Sequence, residues 1–506
     1  MVRKFNDCIL YEIYPNNFKD SNADGYGDIK GIISKLDYVK EMGFDGIWLN
    51  PVYDSPFLDG GYDVRDFYKI AERFGTMEDL DNLIKELHAR DMILLMDLVP
   101  GHVSTTNKEF LKSAESSRNE YSDTFIWTDD PWCWYKDCAP IRGCYDRSGA
   151  YIVNFFAHQA AINYGYKEFT HPSWQISYKD ERVVSGRKYI ENVMKFYLAR
   201  GVDGFRVDMA DSLVKNDDEK DATIWVWQQI RKDLQDEFPN FVMTSEWSNP
   251  YQSLQATFDS DFVLDHYHNF SHKLFRERDK DGNTIALLHK YDEKLFRKFR
   301  KDIKVRCAAG NAYKGSISVI SGNHDTERLA NFLTEDELRL AYLFILTMPG
   351  VPYIYAGDEI GMKQDNKLPS IEGGYQRTGC RTPMRFDHTK NYGFSDDDKT
   401  FLPTNEDSPV LSDMLADPNS LTNEIKDLIK IKHELTSLHG DHFMLLDRYY
   451  FGYQRNNAKV FINIKDEDLV YTLKEGEKVV YKVNGVEVDG NKVIVKHHGG
   501  VLINKD

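Results

Sequence analysis

Short apolar runs alternate with amphipathic helical stretches from the start of the chain to about residue 360. This alternation is typical of parallel strands covered by helices, because successive parallel strands need a crossover connection. Continuous apolar runs further indicate strands that are buried on both faces. The candidate strands are 9–14, 46–50, 93–99, 204–209, 242–247, 262–265, 318–324 and 353–356. Eight such strands fit the α/β class and predict a closed (β/α)8 TIM barrel.

Two segments break the alternation. Residues 103–171 lie between the third and fourth candidate strands, are rich in Trp, Tyr, Asp and Cys, and have little helical periodicity. In the tail, short alternating segments are separated by Asn-Gly, Asp-Gly or Gly-Gly, which favour hairpins. We therefore predict an inserted lid domain at 103–171 and a C-terminal antiparallel β domain at 441–506. The barrel is then built from 1–102 and 172–440.

Charge narrows the choice of ligand. The 506-residue chain has a formal net charge of −17, so phosphate surfaces of nucleic acids or anionic membranes would repel it. The N-terminal segment has no apolar core of a signal peptide, and no run of about 18 apolar residues occurs. We expect a cytoplasmic protein, monomeric or weakly homodimeric, that acts on a neutral small molecule.

The six cysteines do not form a metal-binding pattern. Cys133, Cys138 and Cys144 cluster, but without the paired CxxC units of a typical zinc site. We predict reduced thiols rather than a zinc site or disulfides.

Charged side chains follow several apolar runs, at the end where a parallel barrel builds its active face. Arg206 and Asp208 are two residues apart, so both lie on the same face of their strand. Glu246 ends the next run, and His324 with Asp325 ends a later one. Taken singly, these residues are equally compatible with a structural ion pair, a helix cap or an incidental pair. Together they bring three carboxyls to one pocket, which suits cleavage of a glycosidic bond.

Longer motifs in the same order give the chain a resemblance to a known family. They are YEIYPNNFKDSNADGYGDIKGI, GFDGIWLNPVYDSP, GYDV, DLVPGH, GFRVD, SEW, GNHD, YAGDEIGM and CRTPM. The chain resembles the α-amylase superfamily of retaining glycoside hydrolases, family 13, and within it the oligo-1,6-glucosidase and α-glucosidase branch. The resemblance covers nearly the whole chain. It implies a barrel, a lid after the third strand and a C-terminal β domain.

The resemblance also implies roles for individual residues. Asp208 corresponds to the nucleophile, held ionised by Arg206, Glu246 to the general acid and base, and Asp325 to the carboxylate that stabilises the transition state. In a retaining enzyme the first two carboxyls are expected about 5–5.5 Å apart. The residues implied in sugar binding are Tyr62 as a stacking platform, Asp63, His102, Arg206, His324 and Arg381. Core packing and capping are the alternative roles for these side chains.

The loop 20–28 has oxygen-bearing side chains at alternating positions and glycines that permit a tight curl. It is not an EF-hand, because Gly31 stands where the bidentate Glu belongs. The resemblance implies a structural Ca²⁺ site, for which a solvated acidic turn is the alternative. Its ligands would be Asp20, Asn22, Asp24, Asp28 and the carbonyl of Tyr26.

Three departures from the family pattern bear on specificity and metal binding. Gly101 precedes His102 where the family commonly has Asn, which weakens the expectation of a second calcium site between barrel and lid. The lid segment reads QAAIN at 159–163 where the branch has QPDLN. Met209 follows the nucleophile at a position that in the branch correlates with linkage preference, and it either faces the leaving group or packs into the barrel.

These observations predict a retaining α-glycoside hydrolase that acts on short α-glucosides of the maltose or isomaltose type. The alternative is a transglycosylase or isomerase that uses the same covalent intermediate. A non-catalytic partner subunit is the third hypothesis. Such a subunit would be expected to lack the carboxylates and to carry a membrane segment.

Overall fold

The computed structural model describes residues 4–132, 134–264, 269–447 and 450–505. At its centre is a sheet of eight parallel strands, labelled β1 to β8 in chain order. They span Leu10–Ile13, Gly46–Leu49, Ile93–Leu98, Gly204–Val207, Val242–Ser245, Ser260–Val263, Ser316–Val319 and Tyr353–Tyr355. Strands β1 to β7 pair in sequence, β8 pairs with β1, and only an isolated bridge between Ile320 and Tyr353 joins the end of β7 to β8. The predicted (β/α)8 barrel is confirmed.

The bounds of all eight predicted strands differ from the observed ones by at least one residue, and the sixth and seventh strands are shifted toward the N-terminus. The sixth begins at Ser260 instead of residue 262, and its predicted last residue, 265, lies outside the described residues. The seventh ends at Val319 instead of residue 324. Polar side-chain contacts replace the strand pairing after Val319. Ser321 Oγ donates to Asp358 Oδ2, and Asn323 Oδ1 accepts the backbone N–H of Asp325. His324 and Asp325 are therefore presented by a loop.

Helices cover the barrel, and local sequence explains how they begin. In Met77–His88 a capping box joins Thr76 to Asp79, and the apolar residues Leu80, Leu83 and Leu87 lie on one buried face. The α-helices of the described chain are Ile29–Ser34, Leu36–Glu41, Met77–His88, Lys108–Ser113, Val184–Leu198, Asp221–Gln235, Pro250–Gln255, Phe270–Phe275, Glu293–Ala312, Glu335–Thr347, Leu411–Ala416 and Leu421–Glu434.

Short pairs of antiparallel strands lie in the connections that follow β2 and β3. Tyr53–Asp54 pairs with Asp66–Ile70, Pro140–Ile141 with Tyr151–Ile152, and His102–Ser104 with Gln159–Ala161. The last pair fastens the inserted segment to the end of the connection after β3. It places Gln159 beside the carboxyl ends of the barrel strands.

The tail forms antiparallel sheets, as the hairpin signals predict. A five-stranded sheet contains, in spatial order, Met444–Leu445, Phe451–Arg455, Ala458–Ile462, Gly500–Lys505 and Glu477–Val483. A three-stranded sheet contains Leu469–Thr472, Lys492–Val495 and Val486–Asp489. The exact domain boundaries stay predictions.

Two further findings concern the described residues only. No disulfide joins the five described cysteines, and Cys133 of the predicted thiol cluster lies outside the described residues. Within the described ranges, no helix has both the length and the apolar character needed to cross a bilayer.

Candidate active site

A cavity of about 400 Å³ opens at the carboxyl ends of the barrel strands. Several side chains that the sequence singles out line it, namely Tyr62, His102, Asp208, Met209, Glu246 and Asp325. The predicted residues Asp63, Arg206, His324 and Arg381 do not line it. All four nevertheless contact residues of the wall: Asp63 accepts the Asp59 N–H, and the other three contact Asp208, Tyr62 or Asp325.

Arg206 is the charge centre beneath the cavity, and its side chain is 1% exposed. Its Nη1 lies 2.8 Å from Asp97 Oδ1 and 3.1 Å from Asp208 Oδ1, and its Nη2 lies 2.8 Å from Glu246 Oε1. The alternation of β4 explains the first contacts, because Arg206 and Asp208 point to the same side. One guanidinium thus balances three carboxyls instead of Asp208 alone.

The carboxyls of Asp208 and Glu246 both contact this guanidinium. Burial raises the pKa of Asp208 well above its usual range, the charge of Glu246 adds to the rise, and Arg206 opposes it. Glu246 is held from its other side, since the backbone N–H of Met209 donates to Oε2 at 2.9 Å. Burial therefore favours the protonated form of Asp208 in spite of Arg206, which differs from the expectation that Arg206 holds this carboxyl ionised.

Asp325 has a different electrostatic environment. Arg377 Nη1 and Arg381 Nη2 both contact its Oδ1, at 3.0 and 2.6 Å. Burial would raise the pKa of Asp325, but neighbouring positive charge holds it well below the usual range. Burial also lowers the pKa of His324, so this ring is neutral at pH 7. The positive charge that acts on Asp325 therefore comes from the two arginines. Within the described ranges, no residue donates to Oδ2 of Asp325, which leaves that oxygen for a ligand hydroxyl.

Tyr62 and His324 form a stacked pair on this side of the cavity. Their rings are 5.1 Å apart and 7° from parallel, and the hydroxyl of Tyr62 donates to Asp97 Oδ2 at 2.8 Å. The Tyr62 ring is thereby fixed as a flat wall, which is the arrangement expected of a sugar-stacking platform. His324 itself is fully buried behind it.

Asp63 does not reach the cavity, and Asp59 lies there instead. Asp63 accepts the hydroxyl of Ser55 and the backbone N–H groups of Leu58 and Asp59, so it orders the loop before it. Asp59 lines the cavity and accepts bonds from Gln159 Nε2 at 2.8 Å and Arg377 Nη2 at 3.1 Å. In the motif DGGYD the sequence offers two aspartates, and periodicity does not distinguish them.

The glycine after Asp59 explains why this loop can approach the site. Gly60 has φ +58°, and a Cβ there would lie 2.7 Å from Arg381 Nη1 and 2.8 Å from the Tyr14 hydroxyl. A side chain at this position would push the loop away from Arg381.

His102 lines the cavity, but both ring nitrogens have protein partners. Nε2 lies 3.0 Å from the carbonyl of Tyr62, and Nδ1 lies 3.2 Å from Asn154 Nδ2. Burial lowers the pKa of His102 to about 3. The ring is therefore neutral, and it fixes Tyr62 from the backbone side.

Gly101 makes room for a contact between lid and barrel. A Cβ at this position would lie 2.5 Å from Asn154 Nδ2. The Asn154 side chain also accepts from Lys215 Nζ at 2.5 Å, and this ammonium donates to the Ser212 carbonyl as well. The Lys215 ammonium therefore lies at this junction of lid and barrel.

The carboxylates of the loop 20–28 have the oxygen chemistry that a hard cation needs. Asp20 and Asp28 are buried, and among the described residues no Lys, Arg or His forms an ion pair with either. Their oxygens accept N–H and O–H groups instead: Asp20 Oδ2 binds Gly25 N–H and Ser395 Oγ, and Asp28 caps the helix Ile29–Ser34. Asn22 and Asp24 are exposed. In the described chain no group of three or more His, Cys, Asp or Glu is arranged to hold a metal ion.

Comparison with known proteins decides the family. The model of the alpha amylase catalytic domain matches residues 12–441. The chain belongs to the α-amylase family. The glucan 1,6-alpha-glucosidase of Streptococcus pneumoniae is 29% identical over 94% of this chain and 94% of its own length. The oligo-1,6-glucosidase of Halalkalibacterium halodurans is 30% identical over 89% and 88%. This α-amylase family member is a glycoside hydrolase.

Two further matches are to proteins that are named as synthases. The trehalose synthase/amylase TreS of Mycolicibacterium smegmatis is 29% identical over 85% of this chain and 76% of its own length. A crystal structure of an isomaltulose synthase mutant from Erwinia rhapontici NX5 with sucrose superposes with a TM-score of 0.81. It has 24% identity and covers 99% of both chains, so it shows a shared fold.

Some cavity residues of this family member escape prediction from the sequence. They are Asp59, Phe155, Gln159, Asp211, Trp247, Leu264 and Arg377. Gln159 and Phe155 belong to the inserted segment, whose folding over the barrel follows no periodicity. Arg377 precedes Arg381 by four residues, and only the structure shows that both guanidinium groups converge on Asp325.

Proposed function

We propose that this protein is a retaining α-glucosidase that hydrolyses short α-glucosides through a covalent glycosyl-enzyme intermediate. The observation that carries the proposal is the position of Asp208 and Glu246 on one guanidinium at the cavity wall. Asp325 and its two arginines line the same cavity. This supplies the paired carboxyls that retention needs and a third carboxylate for the sugar.

In the first step, the ionised Asp208 attacks the anomeric carbon while Glu246 gives its proton to the glycosidic oxygen. The bond from the anomeric carbon to that oxygen breaks, and the leaving sugar departs with the proton. In the second step, Glu246 takes a proton from water, whose oxygen attacks the anomeric carbon and releases Asp208 as a carboxylate. The cycle requires this proton to lie on Glu246, so substrate binding must offset the burial that raises the pKa of Asp208.

Asp325 and Tyr62 bind the sugar that is being transferred. The free Oδ2 of Asp325 accepts a sugar hydroxyl, and the two arginines keep this carboxylate ionised when the reacting carbon becomes positive. Tyr62 offers its ring as an apolar wall to one face of the sugar. Asp59 and Arg377 add polar groups at the same wall.

The substrate class rests on cavity size and on the relatives. A cavity of about 400 Å³ lies near the lower end of the usual range for ligand sites and favours short substrates over polymers. Relatives named for action on 1,6-alpha-glucosidic substrates favour isomaltose-type links. Incubation with α-1,1-, α-1,2-, α-1,3-, α-1,4- and α-1,6-linked disaccharides, sucrose and starch tests this. Glucose released from short substrates supports the proposal, and failure to cleave any of them contradicts it.

An isomerase or transglycosylase is the second candidate, favoured by the similarity to a trehalose synthase/amylase. The same intermediate would be attacked by a sugar hydroxyl in place of water. Early new disaccharides in the product time course would support this alternative, whereas free glucose alone supports hydrolysis.

We also propose that the loop 20–28 binds Ca²⁺ through Asp20, Asn22, Asp24, Asp28 and the Tyr26 carbonyl. The support is the buried negative charge of Asp20 and Asp28, which no cationic side chain of the described residues pairs. Binding requires the exposed Asn22 and Asp24 side chains to turn toward the loop centre. The ion would stabilise the fold and take no part in the bond-breaking steps.

A further inference from the structure

Glu12, on β1, is a buried carboxyl that the steps above do not use. It is fully buried, and its Oε1 lies 2.8 Å from His324 Nδ1. The same oxygen accepts the backbone N–H of His324 at 3.3 Å. Among the described residues Oε2 has no hydrogen-bond partner, and no Lys or Arg forms an ion pair with this carboxyl. The partner of His324 is therefore a carboxyl without a compensating cation in contact.

The direction of a neighbouring hydrogen-bond chain fixes the tautomer of His324. The Tyr62 hydroxyl has one proton, and it donates this proton to Asp97 Oδ2 at 2.8 Å. The same hydroxyl lies 3.1 Å from the Asn50 side-chain amide and must accept from it, so the amide nitrogen faces Tyr62. That nitrogen also lies 3.0 Å from His324 Nδ1. Nδ1 is consequently an acceptor, and the ring proton is on Nε2.

An acceptor at Nδ1 is incompatible with an ionised Glu12. A carboxylate oxygen and an unprotonated ring nitrogen at 2.8 Å would repel each other, so a proton must lie between them. We propose that Glu12 is a positioning residue: as a neutral carboxylic acid it donates to Nδ1 of His324 and thereby keeps the ring proton on Nε2.

The environment of Glu12 is consistent with a neutral acid. Burial raises its pKa well above the usual range, and the His324 N–H and the charge of Arg206 oppose the rise. A hydrogen bond from the Asn50 amide also opposes the rise, the charge of Asp97 adds to it, and Tyr355 on β8 faces the carboxyl as well. Arg206 is already engaged by three carboxyls, which limits its effect on a fourth.

The consequence lies at the substrate. Nε2 of His324 has no partner among the described residues and lies 3.5 Å from Asp325 Oδ1. With its proton fixed there, Nε2 directs an N–H toward Asp325 and, together with Arg377 and Arg381, orients the carboxylate that binds the sugar. This last step rests on the proposed function, whereas the tautomer itself does not.

Nuclear magnetic resonance of the full chain labelled with ¹⁵N-histidine tests the tautomer directly. The His324 signals are identified by their loss in His324→Gln. We expect an unprotonated Nδ1 and a protonated Nε2 in the wild type, and the same in Glu12→Gln, whose amide also donates. A protonated Nδ1 in the wild type would overturn the proposal.

Kinetics test the positioning role. Glu12→Gln keeps a donor, so kcat/KM should fall no more than about threefold. Glu12→Leu has similar size but no donor, and kcat/KM should fall about tenfold or more, the value of one hydrogen bond. Equal losses in both variants, or none in Glu12→Leu, would contradict the proposal. If the wild type cleaves no α-glucoside, the proposed function fails while the resonance experiment still decides the role of Glu12.

Discussion

Nη2 of Arg206 lies 2.8 Å from Oε1 of Glu246, and Nη1 of the same guanidinium contacts Asp97 and Asp208. The proposed acid and the proposed nucleophile therefore depend on one cation. Removal of a proton from either carboxyl changes the field at the other, since both contact the same guanidinium.

The first prediction concerns these two roles. Asp208→Asn should abolish turnover with an unchanged circular dichroism spectrum, because an amide cannot form the glycosyl ester. Glu246→Gln should be equally damaging on natural disaccharides but partly spared on aryl α-glucosides, whose leaving groups need little protonation. Steady-state kinetics on both substrates check this. Near-normal activity of Asp208→Asn, or equal losses of Glu246→Gln on both substrates, would refute the assignment.

The barrel and the positions of the paired carboxyls at the cavity could be predicted because their signals are local. Apolar runs ended by Arg206, Asp208 and Glu246 fix both the strand and the face of each side chain. Asp325 lies on a loop after β7, and its position depends on polar contacts of Ser321 and Asn323 that no periodicity encodes.

Asp59 and Arg377 could not be predicted for a related reason. Their approach to the cavity needs Gln159 from the inserted segment and a second arginine from a distant loop. Contacts between segments so far apart leave no periodic trace in the chain.

The second prediction distinguishes the two aspartates of the DGGYD motif. Asp59→Asn should lower kcat/KM about tenfold, because it removes a charge that lines the cavity and pairs with Arg377. Asp63→Asn is the matched comparison: its amide keeps one acceptor oxygen but turns an NH2 toward the N–H of Leu58 or Asp59, so it should lower Tm while KM stays within about twofold. Measurement of kcat/KM and KM for both variants on one disaccharide checks this prediction. A larger loss in Asp63→Asn would return the sugar-binding role to that residue.

The third prediction concerns calcium. If loop 20–28 binds Ca²⁺ in the folded state only, calcium at 100 times its Kd should stabilise the protein by about 2.7 kcal/mol. Chelation should lower Tm, and added calcium should restore it. Asp24→Ala should remove the calcium response. Equal melting curves of the wild type with calcium and with chelator would rule the site out.

The fourth prediction concerns Asp261 on β6, beside the active-site end of the barrel. Burial raises its pKa to about 7, although Ser245 Oγ and the Ser248 N–H stabilise the charged form. Because the folded state binds this proton more tightly than the unfolded state, wild-type stability falls as pH rises from about 4 to 7. The slope is about 1.4 kcal/mol per pH unit.

Asp261→Asn removes this proton linkage and isolates it from other titrating groups. The difference in unfolding free energy, variant minus wild type, should therefore increase between pH 5 and pH 7. Urea unfolding at several pH values measures it. A difference that stays constant with pH would mean that Asp261 is ionised in the folded protein at pH 5.

The last prediction concerns Met209, which lines the cavity directly after Asp208. Its backbone is left-handed, with φ 41° and ψ 45°, and its N–H holds Glu246. A β-branched residue would strain this backbone, so Met209→Val would confound side-chain and backbone effects.

The flexible thioether of Met209 fills space beside Glu246 and should narrow the leaving-group side of the cavity, which favours small disaccharides over maltodextrins. Met209→Ala should raise kcat/KM for longer substrates relative to disaccharides by about threefold to tenfold. Met209→Gln keeps the length and should retain the wild-type preference. We would measure kcat/KM for disaccharides and a maltodextrin series in all three proteins. Identical relative preferences would exclude Met209 from the control of specificity.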